Sequence, residues 1–447
     1  MLGCARSERR EIRLAMDCET RSTFEPESMK LRRHFPVLSL CFLLSVSAMR
    51  AGDLPADSRI AVIGDSITEQ KLYSKYLESY LLACTGRDDL VVFQFGWSGE
   101  RADGFANRLA NDLGVFQPTV ATTCYGMNDG SYQPFNDAIG GAYEKNMTRV
   151  IEGLKAAGVR QIAVGSPGGV DPDFFTRLDG TIYNETLAQL RDIARRLAEK
   201  SGQPFANVYD TMMTALPKSK EANGKDYAPF GSDGFHPAPA GQLLMTQAFL
   251  KGLGLDGAIG TITLDLEGDT TATTGHEVLS TKAGTVELAS SRWPFCFDAD
   301  PKNPNSTRSI VPFTNFNEEF NRFTLVVMGL TTPKARVTWG AHSLEFTKAQ
   351  LESGINLAAE FPATPFDEPF QKLMEAVAVK QQFETNAIKN LVTHFRIFDE
   401  DAKSDAELAA AFETIRNKVA EKHAAHHASA RKRIQPVNHT VRVEPVP

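Results

Sequence analysis

Arg59-Ile60-Ala61-Val62-Ile63-Gly64-Asp65-Ser66-Ile67-Thr68 decides how this chain is read. An apolar run closed by a glycine has the texture of a strand buried on both faces. The serine follows at once and a helical pattern begins near residue 69, so Ser66 stands at the carboxyl end of the strand. Gly64 lets the backbone turn sharply there. On these ten residues alone, a second interpretation is open: Ser66 or Thr68 could simply cap the helix over 69–84.

The pattern repeats downstream. Apolar strands are expected at Arg59–Gly64, Leu90–Gly96, Pro118–Gly126, Gln161–Ser166 and Ala206–Asp210. Amphipathic helical stretches lie near 69–84, 103–113, 137–157, 180–200 and 239–252. Apolar strands joined by helices of that length indicate α/β architecture, a parallel five-stranded sheet between helices. In such sheets the chemistry gathers outside the carboxyl ends of the strands. The polar and glycine-rich punctuation falls there, after Ile63, Phe95, Tyr125 and Val164.

Three further blocks share that edge. Gly96-Trp97-Ser98-Gly99-Glu100 follows the second strand, where a glycine can offer its N–H to a developing oxyanion. Gly126-Met127-Asn128-Asp129 follows the third, where Asn128 can present an amide. Ser232-Asp233-Gly234-Phe235-His236-Pro237 precedes the last helix, and Asp233 lies close enough in sequence to fix the tautomer of His236. Each block alone has a plainer interpretation, as a strand-to-helix turn or a local hydrogen bond. Together they supply a nucleophile, a base, an orienting carboxylate and oxyanion donors, which is the inventory acyl transfer needs. Position 100 is Glu, so residues 96–100 do not make the Gly-x-Ser-x-Gly elbow of α/β-hydrolases, and Ser98 is a poor nucleophile candidate.

With its Gly-Asp-Ser block at 64–66, glycine block at 96–99, Gly-x-Asn-Asp block at 126–129 and Asp-x-x-His block at 233–236, the chain resembles the SGNH hydrolase superfamily, the GDSL-type esterases and lipases. The resemblance spans roughly residues 57–255. It implies a flavodoxin-like SGNH fold with catalytic residues Ser66, Asp233 and His236, an oxyanion hole from Ser66, Gly99 and Asn128, and no cofactor or metal. Gly99 is preferred to Gly96 because family members often carry a Ser-Gly pair. The implied activity is that of a secreted serine esterase acting on short-chain acetyl esters, on carbohydrates above all. A lysophospholipase or short-chain lipase is the alternative enzyme. A catalytically silent glycan-binding protein is the alternative outside enzymology, and the intact motif residues oppose it. Trp97, Tyr125, Tyr132 and Phe235 lie beside the blocks and could stack on sugar rings. The longest loops of the catalytic region, Gly165–Gly180 and Pro217–Gly234, are the expected places for substrate contacts.

The 447 residues are 42% hydrophobic, 23% charged and 9% aromatic, with a formal charge of −7. Such a composition excludes global disorder and a polytopic membrane protein. The acidic balance gives nucleic acid no electrostatic foothold. Residues 1–51 read as a leader and signal peptide, with the start expected at Met29. A basic flank (Lys30, Arg32, Arg33) precedes an apolar run from Phe35 to Met49 that is shorter than the ~20 residues a spanning helix needs. The expectations are a secreted or periplasmic protein, with no stable membrane insertion once the signal is removed. Leu40 precedes Cys41, which is unsuitable for lipoprotein cleavage. Beyond the leader, Cys84, Cys124 and Cys296 are too few and too dispersed for a disulfide framework. Cys84 and Cys124 read as small buried residues.

The domain plan is 52–257 catalytic, 258–360 a small β-rich accessory domain, 361–430 a helical segment and 431–447 a flexible, frayed tail. In the β-rich part, strands are expected at Gly260–Glu267, Thr285–Ser290, Asn321–Leu330 and Arg336–Phe346. The short, partly apolar linker Leu253-Gly254-Leu255-Asp256-Gly257 argues that this part packs on the catalytic domain rather than swinging free. The helical segment is expected to pack on the β-rich part or to pair two subunits. His423, His426 and His427 look like a metal cluster but sit in an Ala/Lys-rich helix, where a plain helical face is the simpler interpretation.

Overall fold

Five parallel strands build the first sheet: β1 (Arg59–Gly64), β2 (Val91–Gln94), β3 (Val120–Cys124), β4 (Gln161–Gly165) and β5 (Phe205–Ala206), in the order β2-β1-β3-β4-β5. This is the flavodoxin-like doubly wound order. The computed structural model describes residues 54–298 and 306–447. The leader and signal segment of residues 1–51 lies outside them. Apart from their first residues, β1 to β4 are wholly buried, as expected for strands covered by helices on both faces. The helices Ala102–Asp112, Asp137–Ala156 and Gly180–Ser201 form one flank, and Tyr73–Ala83 and Pro239–Gly252 the other.

The order places β1 between β2 and β3. Ser66, directly after β1, is therefore flanked by the glycine block after β2 and the Asn128 block after β3. Trp97 N–H donates to Gly64 O at 3.0 Å, and Asn128 Nδ2 to Glu100 O at 3.1 Å, so the three loops are tied to one another.

One catalytic strand differs from expectation. Ala206–Asp210 is not a strand: β5 stops at Ala206, and Val208–Asn223 is a helix capped by Asn207, whose side chain accepts the Asp210 N–H. The helix carries Pro217 inside it, which is why the segment reads as a loop from sequence. The loop assigned to Pro217–Gly234 begins only after Asn223.

Beyond Gly257 the described residues make two more sheets. Ala258–Asp265 and Arg322–Met328 pair in parallel, with the short strands Thr271–Ala272 and Ile355–Asn356 outside them. The region expected as one strand over Arg336–Phe346 is a hairpin, Lys334–Trp339 and His342–Thr347, turning at Gly340 with φ +61°. This β-rich part packs on the catalytic helices without a free linker. Tyr80 Oη donates to Phe320 O at 2.8 Å, Arg292 Nε donates to Cys84 O at 2.7 Å, and Phe295 meets both Tyr76 and Tyr80.

The tail is the plainest correction. Residues 431–447 are not frayed: Val437–Val446 is the middle strand of an antiparallel sheet, between Lys334–Trp339 and Thr285–Ser290. His439, Val441 and Val443 alternate inward and are buried. The alternation is present in the sequence, but a basic run before it and Pro445 within it disguise a strand.

The helical segment packs on the β-rich part as expected, Phe370 meeting Phe295 at 5.0 Å between ring centres, but Asp367–Asn390 also packs on the catalytic domain. β2 is an edge strand whose outward backbone groups need partners. Lys380 Nζ donates to Val92 O at 2.7 Å, and Glu384 accepts the Gln94 N–H at 3.0 Å, so this helix closes the edge with side chains. His423 lies 2.7 Å from Glu384, its ring against Phe93 and Phe116. The three charged or titratable side chains are buried together, and removing one partner from such a buried set typically costs about 3–5 kcal/mol. Among the described residues no helix is long and apolar enough to cross a membrane, and no group of His, Cys, Asp or Glu is arranged to hold a metal. Cys84, Cys124 and Cys296 are buried free thiols.

Candidate active site

Ser66 opens a one-turn helix, Ser66–Glu69, capped by Asp65, whose side chain accepts the Ile67 N–H. The first N–H groups of a helix have no intrahelical acceptor, which leaves the Ser66 N–H available. The Asp65 carboxyl is pushed up to about 7, first by burial and then, against the Ile67 hydrogen bond, by the charges of Asp129 and Glu100.

Ser66 Oγ lies 2.8 Å from His236 Nε2, and His236 Nδ1 lies 2.7 Å from Asp233 Oδ2. Asp233 Oδ1 accepts the backbone N–H groups of Phe235 and His236 at 3.2 and 3.0 Å. Burial alone would raise the Asp233 carboxyl, but these hydrogen bonds and that of the ring outweigh it and hold the group below the ordinary carboxylate value. An ionised carboxylate only accepts, so Nδ1 carries the ring proton and Nε2 is left to accept from Ser66. The structure thus brings together the three residues that sequence reasoning selected from two blocks 170 positions apart.

The glycine block is anchored from below. Glu100 binds Arg108 through both carboxylate oxygens, at 2.7 and 2.9 Å, and accepts the Tyr125 hydroxyl at 2.7 Å. Gly96 is the packed member of the block: a Cβ there would stand 2.3 Å from Glu69 N. Gly99 is the open one, with φ +73° and nothing within 4 Å of a Cβ position. Its N–H makes no protein hydrogen bond among the described residues. These differences separate a glycine needed for close packing from one free to offer its N–H to a ligand.

Asn128 is oriented from both ends. Tyr132 Oη donates to its Oδ1 at 2.8 Å while its Nδ2 donates to Glu100 O, leaving one N–H of the amide over. Asp129 accepts the N–H groups of Ala102 and Gly126 at 3.0 and 3.1 Å, which clamps the second and third blocks together. Its carboxyl is pushed up to about 6, by burial first.

The aromatics expected beside the site serve mainly as packing. Tyr125 and Phe235 are buried. Tyr132 stacks on Tyr183, 5.3 Å between ring centres, and the Trp97 ring carries the Arg108 guanidinium at 4.8 Å and the Lys389 ammonium at 4.9 Å from its centre. The aromatic that reaches the cleft is Phe174, in the Gly165–Gly180 loop. That cleft has a volume of about 910 Å³ and carries Ser66, Glu69, Phe174, Asp226, Asp233 and His236 on its wall. Sequence reasoning missed Glu69, Tyr132 as a partner of Asn128, and Asp226. Only the placement of Asp226 in the 217–234 loop pointed toward it.

Residues 62–244 match the model of the GDSL-like lipase/acylhydrolase family. No curated protein matches the sequence. Among solved structures, a gut microbial diltiazem-metabolizing enzyme is similar over 88% of this chain and 99% of its own, with a TM-score of 0.67 at 19% identity. A catalytic mutant of Axe2, an acetylxylan esterase from Geobacillus stearothermophilus, covers 45% of this chain and 97% of its own, at 20% identity and a TM-score of 0.38. LAE5, an alpha/beta hydrolase enzyme from the metagenome of Lake Arreo, Spain, covers 45% and 97%, at 23% identity and a TM-score of 0.38. The first of these shares the architecture well beyond the matched family segment.

Proposed function

We propose that this carboxylic ester hydrolase of the GDSL type removes short acyl groups, acetyl above all, from hydroxyl-rich carriers such as carbohydrates, and that it does so outside the cytoplasm. The observation that carries the proposal is the continuous hydrogen-bonded line from Ser66 Oγ through the His236 ring to Asp233, 2.8 and 2.7 Å long.

In this mechanism His236 Nε2 takes the Ser66 proton as Oγ attacks the ester carbonyl. The Ser66 and Gly99 N–H groups and the Asn128 amide receive the oxyanion, each such donor being worth about 10²–10³ in rate. As the tetrahedral intermediate collapses, the carbonyl–alkoxy bond breaks and His236 returns the proton to the departing alcohol. Water, deprotonated by His236, then attacks the acyl-Ser66; the acyl–Oγ bond breaks, the acid leaves and His236 returns the proton to Ser66 Oγ. Asp233 keeps the ring in the required tautomer and stabilises the imidazolium in both half-reactions.

Support for a short acyl chain and a polar carrier comes from the cleft wall. Glu69, Gln70, Asp226 and Ser232 share that wall with Ser66 and His236 and can meet a polar carrier, while Leu72, Phe174, Ala228 and the run Pro237-Ala238-Pro239 supply its apolar surface. A long-chain enzyme needs a continuous apolar groove to bury its acyl group. The test is acetate release from acetylated xylo-oligosaccharides, set beside hydrolysis of p-nitrophenyl octanoate. A kcat/KM at least tenfold higher for acetyl esters is expected. Preference for octanoate would replace this assignment with a lipase, and oligosaccharide binding without turnover would replace it with a glycan-binding protein.

A further inference from the structure

The helix Asp367–Asn390 reaches the ester site at its last turn. Lys389 Nζ lies 2.6 Å from Glu69 Oε1 and 4.9 Å from the centre of the Trp97 ring. Glu69 ends the one-turn helix that Ser66 begins, and it lines the cleft. Its other oxygen, Oε2, accepts the backbone N–H of Ser98. A single carboxylate therefore joins the helix Asp367–Asn390 to the residue before Gly99.

Ser98 and Gly99 are exposed, and the space around Gly99 is open. Trp97 N–H donates to Gly64 O and Glu100 N–H to Trp97 O. The second closes the turn around the Ser98–Gly99 peptide, and Glu69 holds the Ser98 N–H at its start. Burial would raise the Glu69 carboxyl, but the hydrogen bonds from Lys389 and Ser98 hold it below its ordinary value. Glu69 is thus kept ionised as an acceptor. Lys71 does not substitute for Lys389 here, because its ammonium donates to the Glu69 backbone carbonyl at 2.7 Å.

We infer that Lys389 is a positioning residue for the hydrolysis: through Glu69 it fixes the Ser98 N–H, and so the turn from Trp97 to Glu100 that presents the Gly99 N–H to the oxyanion. The inference rests on the ester reading above and extends the working site to a segment outside residues 62–244, the part matched by the family model. An oxyanion donor is felt in the transition state far more than in the bound ester, so misplacing it lowers kcat and leaves KM nearly unchanged.

The test is steady-state hydrolysis of p-nitrophenyl acetate by the full chain and its variants, at a temperature where circular dichroism shows each to be folded. Lys389→Met is expected to lower kcat about 10- to 100-fold with KM within about twofold. Lys389→Arg should restore kcat to within about threefold, because a guanidinium reaches the same carboxylate. Glu69→Gln should cost about as much as Lys389→Met, and the double variant no more than either, as residues acting through one linkage are non-additive. Lys372→Met, on the same helix and paired among the described residues with exposed Glu368 alone, should leave kcat unchanged. Full kcat per folded molecule in Lys389→Met, with only a lowered melting temperature, overturns the inference and leaves a stabilising ion pair. An inert wild-type protein overturns the ester assignment itself and this inference with it.

Discussion

Asp233 holds His236 twice: Oδ2 lies 2.7 Å from the ring Nδ1, and Oδ1 accepts the backbone N–H of the same residue at 3.0 Å. One carboxylate therefore sets both the path of the loop and the tautomer of the ring. The two effects separate in Asp233→Asn. The amide oxygen can still accept backbone N–H groups, but it no longer matches Nδ1–H with a charge and can present N–H₂ to the ring instead. A kcat reduced about 10²–10⁴-fold is expected, with a melting temperature within a few degrees of wild type. Stopped-assay kinetics and a thermal melt on one preparation check both.

Gly96 and Gly99 respond differently to alanine. At Gly96 a Cβ would run into Glu69 N at 2.3 Å and Thr68 C at 2.6 Å, backbone atoms that cannot swing away. Gly96→Ala is expected to damage folding. At Gly99 the space is open, and the cost is the left-handed backbone, ~1 kcal/mol, together with a re-aimed N–H. Gly99→Ala should fold and lose about tenfold or more in kcat. Comparable activity losses without a melting difference would contradict this division of roles.

Removing residues 434–447 should prevent a stable fold. The truncation takes the strand Val437–Val446 from between two neighbours, leaving Lys334–Trp339 and Thr285–Ser290 with unpaired edges. Insoluble expression, or loss of a cooperative melt, is the expected result. A truncated chain that melts like the full one would contradict it.

Within that strand His439 gives the fold an acid-sensitive point. Trp339 Nε1 donates to His439 Nδ1 at 3.1 Å, His439 Nε2 lies 2.8 Å from Ser290 Oγ, and His276 bridges from Ser290 to Ile259 O. The indole only donates and the carbonyl only accepts, so the chain runs in one direction with both rings neutral. Protonating Nδ1 would oppose it to the indole N–H. Burial, with a smaller contribution from His276, lowers His439 from 6.5 to about 3. The folded state therefore binds fewer protons than the unfolded one between those values, and the stabilisation, full above pH 6.5, drains away as pH falls toward 3. His439→Gln should cost stability at pH 7.5 and about 2–3 kcal/mol less at pH 4. Denaturant melts at the two pH values measure the difference. A penalty independent of pH would contradict it.

The parts of the molecule legible in the sequence are those whose cause is local. β1 is found at Arg59–Gly64 as expected, because a strand buried on both faces must be a run of apolar residues. The site blocks are legible because sheet topology alone carries strand ends to one edge. The helix Asp367–Asn390 is visible as a helix, but its second partner is not. It meets the catalytic domain through Lys380, Gln381, Glu384 and Thr385, all buried, so the polar face that reads as solvated is the one that packs. The tail strand is hidden by its neighbourhood, and the helix over 208–223 by Pro217. Lys389 and Glu69 stand 320 positions apart, and such a pair leaves no local trace.

The most direct test is the initial rate of p-nitrophenyl acetate hydrolysis by the full chain beside its Ser66→Ala variant, with intact-mass analysis of the protein quenched during turnover. The expected result is steady release of p-nitrophenol and an acetyl adduct on Ser66 in the wild type, and neither above the buffer rate in the variant. Equal rates in the two proteins, or an adduct on another residue, would contradict Ser66 as the nucleophile.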